Sequence, residues 1–117
     1  MTGNKRKHKR THIAGSARLA FDDGDGNVIV DGMISNISLS AIALYVNRQI
    51  REKTEVAINI HFISSGGVVK NTAMKGHVVY SMGLENLFLT VIEFTDEIDP
   101  DKNTDLYNHI ERSLTQQ

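Results

Sequence analysis

Apolar and polar positions alternate along the middle of the chain. Between residues 55 and 63, every second position is a large apolar residue, namely Val56, Ile58, Ile60 and Phe62. This period of two predicts a β-strand with one buried face and one face toward water. Five further runs rich in β-branched and aromatic residues have the lengths of strands, at 17–21, 28–37, 41–46, 68–80 and 84–94. We therefore predict about six strands.

Polar and glycine-containing segments separate these runs at fairly even intervals. They are Asp22–Asn27, Asn47–Lys53, Ser64–Gly67 and Ser81–Gly83. Short turn segments at such intervals are typical of hairpins in an antiparallel sheet. Between 87 and 94 both alternating sets of positions are apolar, so this strand needs a second covering layer.

The last segment has a helical period instead. Asp99 can cap a helix, and Pro100 suits the first helical position. An apolar stripe follows at spacings of three and four, formed by Leu106, Tyr107, Ile110 and Leu114. We predict a helix at about 99–115 that packs on a barrel or strongly curved sheet. The expected fold class is mostly β, with six antiparallel strands in a barrel and a C-terminal α-helix.

Composition narrows the class of protein. A chain of 117 residues that is 40% apolar and 23% charged fits one ordinary globular domain. It has no cysteine, which excludes disulfides and cysteine metal sites and fits the cytoplasm as the expected location. Residues 11–18 lack the apolar run of a signal peptide, and no stretch is long enough to span a membrane.

Charge is distributed unevenly along the chain. Lys5, Arg6, Lys7, Lys9 and Arg10 are five of the thirteen basic residues. The other 107 residues contain eight basic and fourteen acidic residues, a net charge of −6. We predict a flexible basic arm at 1–12, a single barrel domain at 13–117, and an anionic partner for the arm.

Catalytic and metal-binding motifs are missing from the sequence. The loop from Asp23 begins like an EF-hand, but Val28 and Ile34 replace the glycine and glutamate which that loop requires. The five histidines are scattered, and we find no nucleophile elbow, paired carboxylates or phosphate loop. We therefore expect a binding protein without enzymatic activity, metal or cofactor.

Two short motifs do suggest a ligand. Arg6 and Arg10 form an RxxxR pattern, and residues 36–41 read Asn-Ile-Ser-Leu-Ser-Ala. In this order, and in a β-rich chain of this size, they resemble the PilZ domain family, bacterial receptors for cyclic di-GMP. The segments 75–80 and 91–96 and the closing helix resemble the family as well.

This resemblance implies a site for cyclic di-GMP. Its residues would be Arg6, Arg10, Asn36, Ser38 and Ala41, with Lys5 and Lys9 adding attraction for the two phosphates. An arginine fork can bind a phosphate or the edge of a guanine with two hydrogen bonds. Asn36 and Ser38 are two residues apart, so on a strand both side chains point to one side.

One position departs from the family pattern. Ala41 stands where the motif usually ends in glycine, which would permit positive φ or close approach of a ligand. We expect a receptor whose arm is ordered by cyclic di-GMP and which signals to a protein of motility, secretion or polymer synthesis. The alternatives are a degenerate module that binds protein but no nucleotide, and a nucleic-acid binder. The acidic body argues against the latter, so we expect no DNA or RNA.

Overall fold

The computed structural model describes residues 8–116, in which six strands close into an antiparallel barrel followed by one helix. The elements are β1 (Gly15–Asp22), β2 (Asn27–Ile37), β3 (Ala41–Val46), β4 (Glu55–Ile63), β5 (Val69–Gly83), β6 (Phe88–Phe94) and α1 (Thr104–Thr115). The strand order around the barrel is β1-β2-β3-β6-β5-β4, and β4 pairs with β1. The predicted fold class is confirmed.

The alternating positions of the strands point into the barrel. In β4, Ile58, Ile60 and Phe62 are at most 2% exposed, while the residues between them are exposed or half-buried. Leu19 of β1 and Leu44 of β3 are fully buried in the same core. The period of two that predicted β4 is therefore the inside–outside alternation of a closed barrel.

The helix lies at the barrel end where β4 finishes. Its buried residues are Leu106 and Ile110, in the predicted apolar stripe. The His109 ring stacks on Phe62 with ring centroids 5.3 Å apart. Burial there, with a smaller contribution from nearby Arg112, lowers the pKa of His109 below its ordinary value. An apolar helix face thus covers the core at this end of the barrel.

The helix begins later than the sequence suggests. Asp99 caps a separate turn, because its carboxylate accepts hydrogen bonds from the backbone N–H groups of Asp101 (2.7 Å) and Lys102 (3.0 Å). These two bonds lower the pKa of Asp99. Asn103 follows with φ −123° and ψ 47°, which interrupts the helical path. The predicted start at Asp99 is therefore corrected to Thr104.

The turn between β5 and β6 also lies later in the chain than the sequence predicted. The turn signal at Ser81–Gly83 lies inside β5, which continues to Gly83. The chain reverses at 84–87, where the Leu84 N–H donates to the carbonyl of Leu87 at 2.7 Å. The two strands gain pairing partners over this length, and that pairing outweighs the local preference of serine and glycine for turns.

Gly76 marks a place where two strands approach very closely. A Cβ atom on Gly76 would overlap the backbone carbonyl of Glu93 on β6 and lie 2.8 Å from the Ile92 side chain. Since the obstacle is the backbone of a paired strand, it cannot move aside without disturbing the β5–β6 pairing.

We therefore predict that Gly76→Ala lowers the free energy of unfolding by about 1–3 kcal/mol. Urea denaturation measures the change. Gly66→Ala is the matched control, because a Cβ there meets nothing within 4 Å. Equal losses in the two variants would contradict the close-approach explanation.

Candidate ligand-binding site

The end of the basic arm is joined to the end of β2 by backbone hydrogen bonds. The Thr11 N–H donates to the Ile37 carbonyl, and the Ile37 N–H donates to the Thr11 carbonyl, each at 2.8 Å. This antiparallel bridge is buried, with Thr11 3% and Ile37 0% exposed. It fixes the position of the residues on either side of Thr11 relative to β2.

The bridge brings the two sequence motifs together. Nη1 of Arg10 lies 3.5 Å from Oδ1 of Asn36, across 26 residues of sequence. This distance is at the limit for a hydrogen bond, so the contact is weak. Both residues are half-buried and keep part of their surface in solvent. An arginine fork and a side-chain amide therefore stand side by side at the barrel end.

Ser38 has a different role from the one its spacing suggested. β2 ends at Ile37, so Ser38 lies in the turn to β3 and is only 2% exposed. Its hydroxyl accepts hydrogen bonds from the N–H groups of Ser40 (3.2 Å) and Ala41 (3.1 Å). The inference of a shared side from the spacing therefore does not apply to Ser38, which orders the turn beside Asn36.

Ala41 fits its backbone position without strain. It is the first residue of β3 and pairs with Glu93 of β6. Within residues 8–116, Lys53 is the only non-glycine residue with positive φ, so Ala41 does not occupy a conformation that favours glycine. Of the two reasons considered for a glycine there, only close approach of a ligand to the backbone remains.

The remaining predicted site residues belong to the arm. Lys9 is exposed, whereas Lys5 and Arg6 lie outside the described residues. Nε2 of His8 lies 3.1 Å from a carboxylate oxygen of Glu97, which follows β6. The arm from His8 to Thr11 therefore runs along the barrel end from the β6–α1 connection to the end of β2.

The helix also holds the base of the arm, a contact that the sequence gave no reason to expect. The Thr11 and Ser113 hydroxyl oxygens are 2.6 Å apart. The Ser113 hydroxyl donates to the carbonyl of His12 at 3.2 Å, and a ring nitrogen of His12 lies 3.0 Å from the Ser35 carbonyl. No motif marks these residues, which the fold brings together from opposite ends of the chain.

The family assignment agrees with this geometry. The family model described as PilZ domain matches residues 4–114, and the chain belongs to this family. No curated protein sequence matches it. Among solved structures it is similar to the inhibitor of motility MotI/DgrA of Bacillus subtilis, with a TM-score of 0.69 at 14% identity. That match covers 97% of this chain and 54% of the MotI chain, so this chain spans about half of that protein.

A second similar structure is the PilZ domain of Escherichia coli YcgR, solved with cyclic di-GMP. The TM-score is 0.66 at 11% identity, and the match covers 97% of this chain and 94% of that one. At these identities the two structures support the barrel and its closing helix. Within residues 8–116, no helix has the length and apolar character needed to cross a membrane.

We predict that the hydroxyl pair stabilises the base of the arm. Ser113→Ala should lower the free energy of unfolding by about 0.5–1.5 kcal/mol, because it removes hydrogen bonds to Thr11 and His12. It should also speed hydrogen exchange of the Thr11 and Ile37 amides. Thr115→Ala is the control, since the Thr115 hydroxyl donates to the Arg112 carbonyl of the same helix. If the Thr11 and Ile37 amides exchange at the wild-type rate in Ser113→Ala, the hydroxyl pair does not stabilise the base of the arm.

Proposed function

We propose that this PilZ domain is a receptor for cyclic di-GMP, bound where the basic arm meets the β2–β3 turn. The observation that carries the proposal is the 3.5 Å contact between Arg10 and Asn36. Residues of the two separate motifs lie together there, and the Thr11–Ile37 bridge holds them together. The YcgR domain, solved with this nucleotide, has the same fold.

The chemistry of these residues suits the ligand. Cyclic di-GMP offers two phosphates and two guanine edges, and a guanidinium can bind either group with paired hydrogen bonds. The Asn36 amide supplies both a donor and an acceptor for a base. Ser38 contributes indirectly, because its hydroxyl fixes the N–H groups of Ser40 and Ala41 within the turn.

The arm supplies the response to binding. Arg6 is four residues before Arg10, so a ligand that engages both arginines orders the chain between them against the barrel end. Lys5 and Lys9 add a positive field that attracts the dianion and makes association sensitive to salt. The ordered arm then presents a new surface to a downstream protein, and the similarity to an inhibitor of motility makes a motility protein our first choice.

Isothermal titration with cyclic di-GMP tests the receptor. We expect micromolar or tighter binding, weakened about 10–100-fold by Arg10→Ala and by Arg6→Ala and lost in the double variant, because each removes charge-assisted hydrogen bonds. GTP should not bind comparably.

Arg51→Ala is the matched control for these variants. Arg51 is an exposed arginine in the connection between β3 and β4, at the end of β3 opposite Ala41 and the arm. Its removal should leave the affinity unchanged. If the wild type gives no binding, the chain is instead a PilZ module that binds protein without nucleotide. The Ala41 methyl group would then be the first feature to test as the cause.

Ala41→Gly tests the departure from the family pattern. We expect cyclic di-GMP to bind about fivefold more tightly, because the variant removes a methyl group from the outward side of β3 where the ligand approaches. Stability should fall by about 0.5–1 kcal/mol, since glycine is unfavourable in a strand and Ala41 has no strain to relieve. Ala57→Gly, on the outward side of β4, is the control: it should lose similar stability without a change in affinity. Unchanged or weaker binding in Ala41→Gly would show that the methyl group does not obstruct the ligand.

A further inference from the structure

Four neighbouring strands carry apolar residues on the outside of the barrel. Met33 of β2 pairs with Tyr45 of β3, Tyr45 pairs with Leu89 of β6, and Leu89 pairs with Met82 of β5. These four side chains form a continuous row across the sheet. Met33 is 68% and Met82 is 47% exposed, so the row faces solvent.

The neighbouring rows extend this surface. Tyr80 on β5 pairs with Val91 of β6 and is 40% exposed, and Leu87 before β6 is 42% exposed. We call Met33, Tyr45, Tyr80, Met82, Leu87 and Leu89 the apolar face. None of them carries a charge. Five lie on the sheet formed by β2, β3, β6 and β5, and Leu87 lies in the turn between β5 and β6.

The opposite side of the barrel differs in character. Outward positions of β1, β4 and β5 there include Arg18, Glu55, Asn59 and Lys75, all exposed. A soluble sheet commonly has polar residues on its solvent side. Apolar side chains are exposed elsewhere on the barrel too, including Ile29 and Val69, but the apolar face joins paired residues of four adjacent strands.

The apolar face approaches the size of a small interface. Four members are 40–68% exposed, and Tyr45 and Leu89 are half-buried, so the face presents on the order of 500 Å² of surface, near the upper end for a monomer. A standard interface buries about 800 Å² on each partner. With Val79 and Leu84 at its border, 42% and 45% exposed, the face reaches the range of a weak, reversible dimer.

We propose that the apolar face binds the same face of a second copy of this chain, forming a two-fold symmetric dimer. An uncharged surface meets no like charge when it faces its own copy, whereas a charged partner would gain no ion pair there. At the border toward Ala41, the His77 ring lies 3.6 Å from a Glu93 carboxylate oxygen, so this carboxylate has a polar neighbour within its own chain. Two such sheet faces can pack about 10 Å apart, as in a β-sandwich. The dimer does not depend on nucleotide binding.

Sedimentation velocity of the full chain between about 1 and 200 µM tests the dimer. We expect a concentration-dependent monomer–dimer equilibrium, with a dissociation constant raised about tenfold or more by Met33→Glu or Met82→Glu, since each places an unpaired carboxylate in the interface. Val69→Glu is the matched control: Val69 is 65% exposed and begins β5 outside the apolar face. Circular dichroism verifies that each variant is folded.

Cross-linking locates the contact. Because the chain has no cysteine, a single introduced cysteine reports on one position. Under mild oxidation, Leu89→Cys or Met82→Cys should give a covalent dimer, whereas Val69→Cys should not. A wild type that remains monomeric at the highest concentration would overturn the proposal, as would dissociation of the dimer by Val69→Glu to the same extent as by Met33→Glu.

Discussion

Closure of the barrel by the β1–β4 pairing is the constraint on which the rest of the structure depends. β1 pairs with β2 along one edge and with β4 along the other, so its first residue, Gly15, has a fixed place beside Phe62. The chain that precedes β1 must therefore leave at the barrel end where β2 finishes and α1 packs. The Thr11–Ile37 bridge and the Thr11–Ser113 contact both follow from that exit point. Strand pairing therefore fixes the base of the arm at Thr11.

Residues 36–41 have two roles: some face the proposed ligand site, and others hold the β2–β3 turn in place. Asn36 is half-buried and contacts Arg10, whereas Ser38 is buried and bonds to the N–H groups of the turn. The turn is held from its other side as well, because the Phe94 N–H donates to the Ser40 carbonyl at 2.9 Å and the Ile98 N–H to the Leu39 carbonyl at 2.8 Å. This rigidity favours the proposed ligand site, since the turn, unlike the arm, would lose little freedom on binding.

Local pattern predicted most of the fold because burial in a barrel repeats every two residues. The limits of β3 and β4 agree with the predicted runs at 41–46 and 55–63, where apolar side chains alternate or continue without interruption. The prediction failed where tertiary pairing outweighed local preference. β5 passes through Ser81 and Gly83 because β6 offers it partners, and Asp99 caps a single turn because Asn103 interrupts the helical path.

The candidate site was predictable only in part, for a related reason. Arg10 and Asn36 could be named from their motifs, but their contact depends on a bridge between residues 11 and 37. Thr11 and Ser113 have no motif, and they meet across 102 residues of sequence. No local period reports such a contact. The spacing of Asn36 and Ser38 could not define the position of Ser38, because a spacing of two indicates a shared side only while the strand continues, and β2 ends one residue earlier.

The proposed ligand site and the apolar face share two strands, which places them close together. Asn36 pairs with Ala43, and Met33 pairs with Tyr45, so two or three residues separate the two surfaces along β2 and β3. At about 3.4 Å per residue, this separation is about 7–10 Å. Proximity alone produces no coupling, because a ligand changes self-association only if its affinity differs between monomer and dimer. Ordering of the arm by the ligand, as proposed for the receptor, would supply that difference if the ordered arm lay beside the apolar face. The proposed ligand site and the proposed dimer interface thus lie on one sheet. Any linkage between them must act through the arm or through β2 and β3.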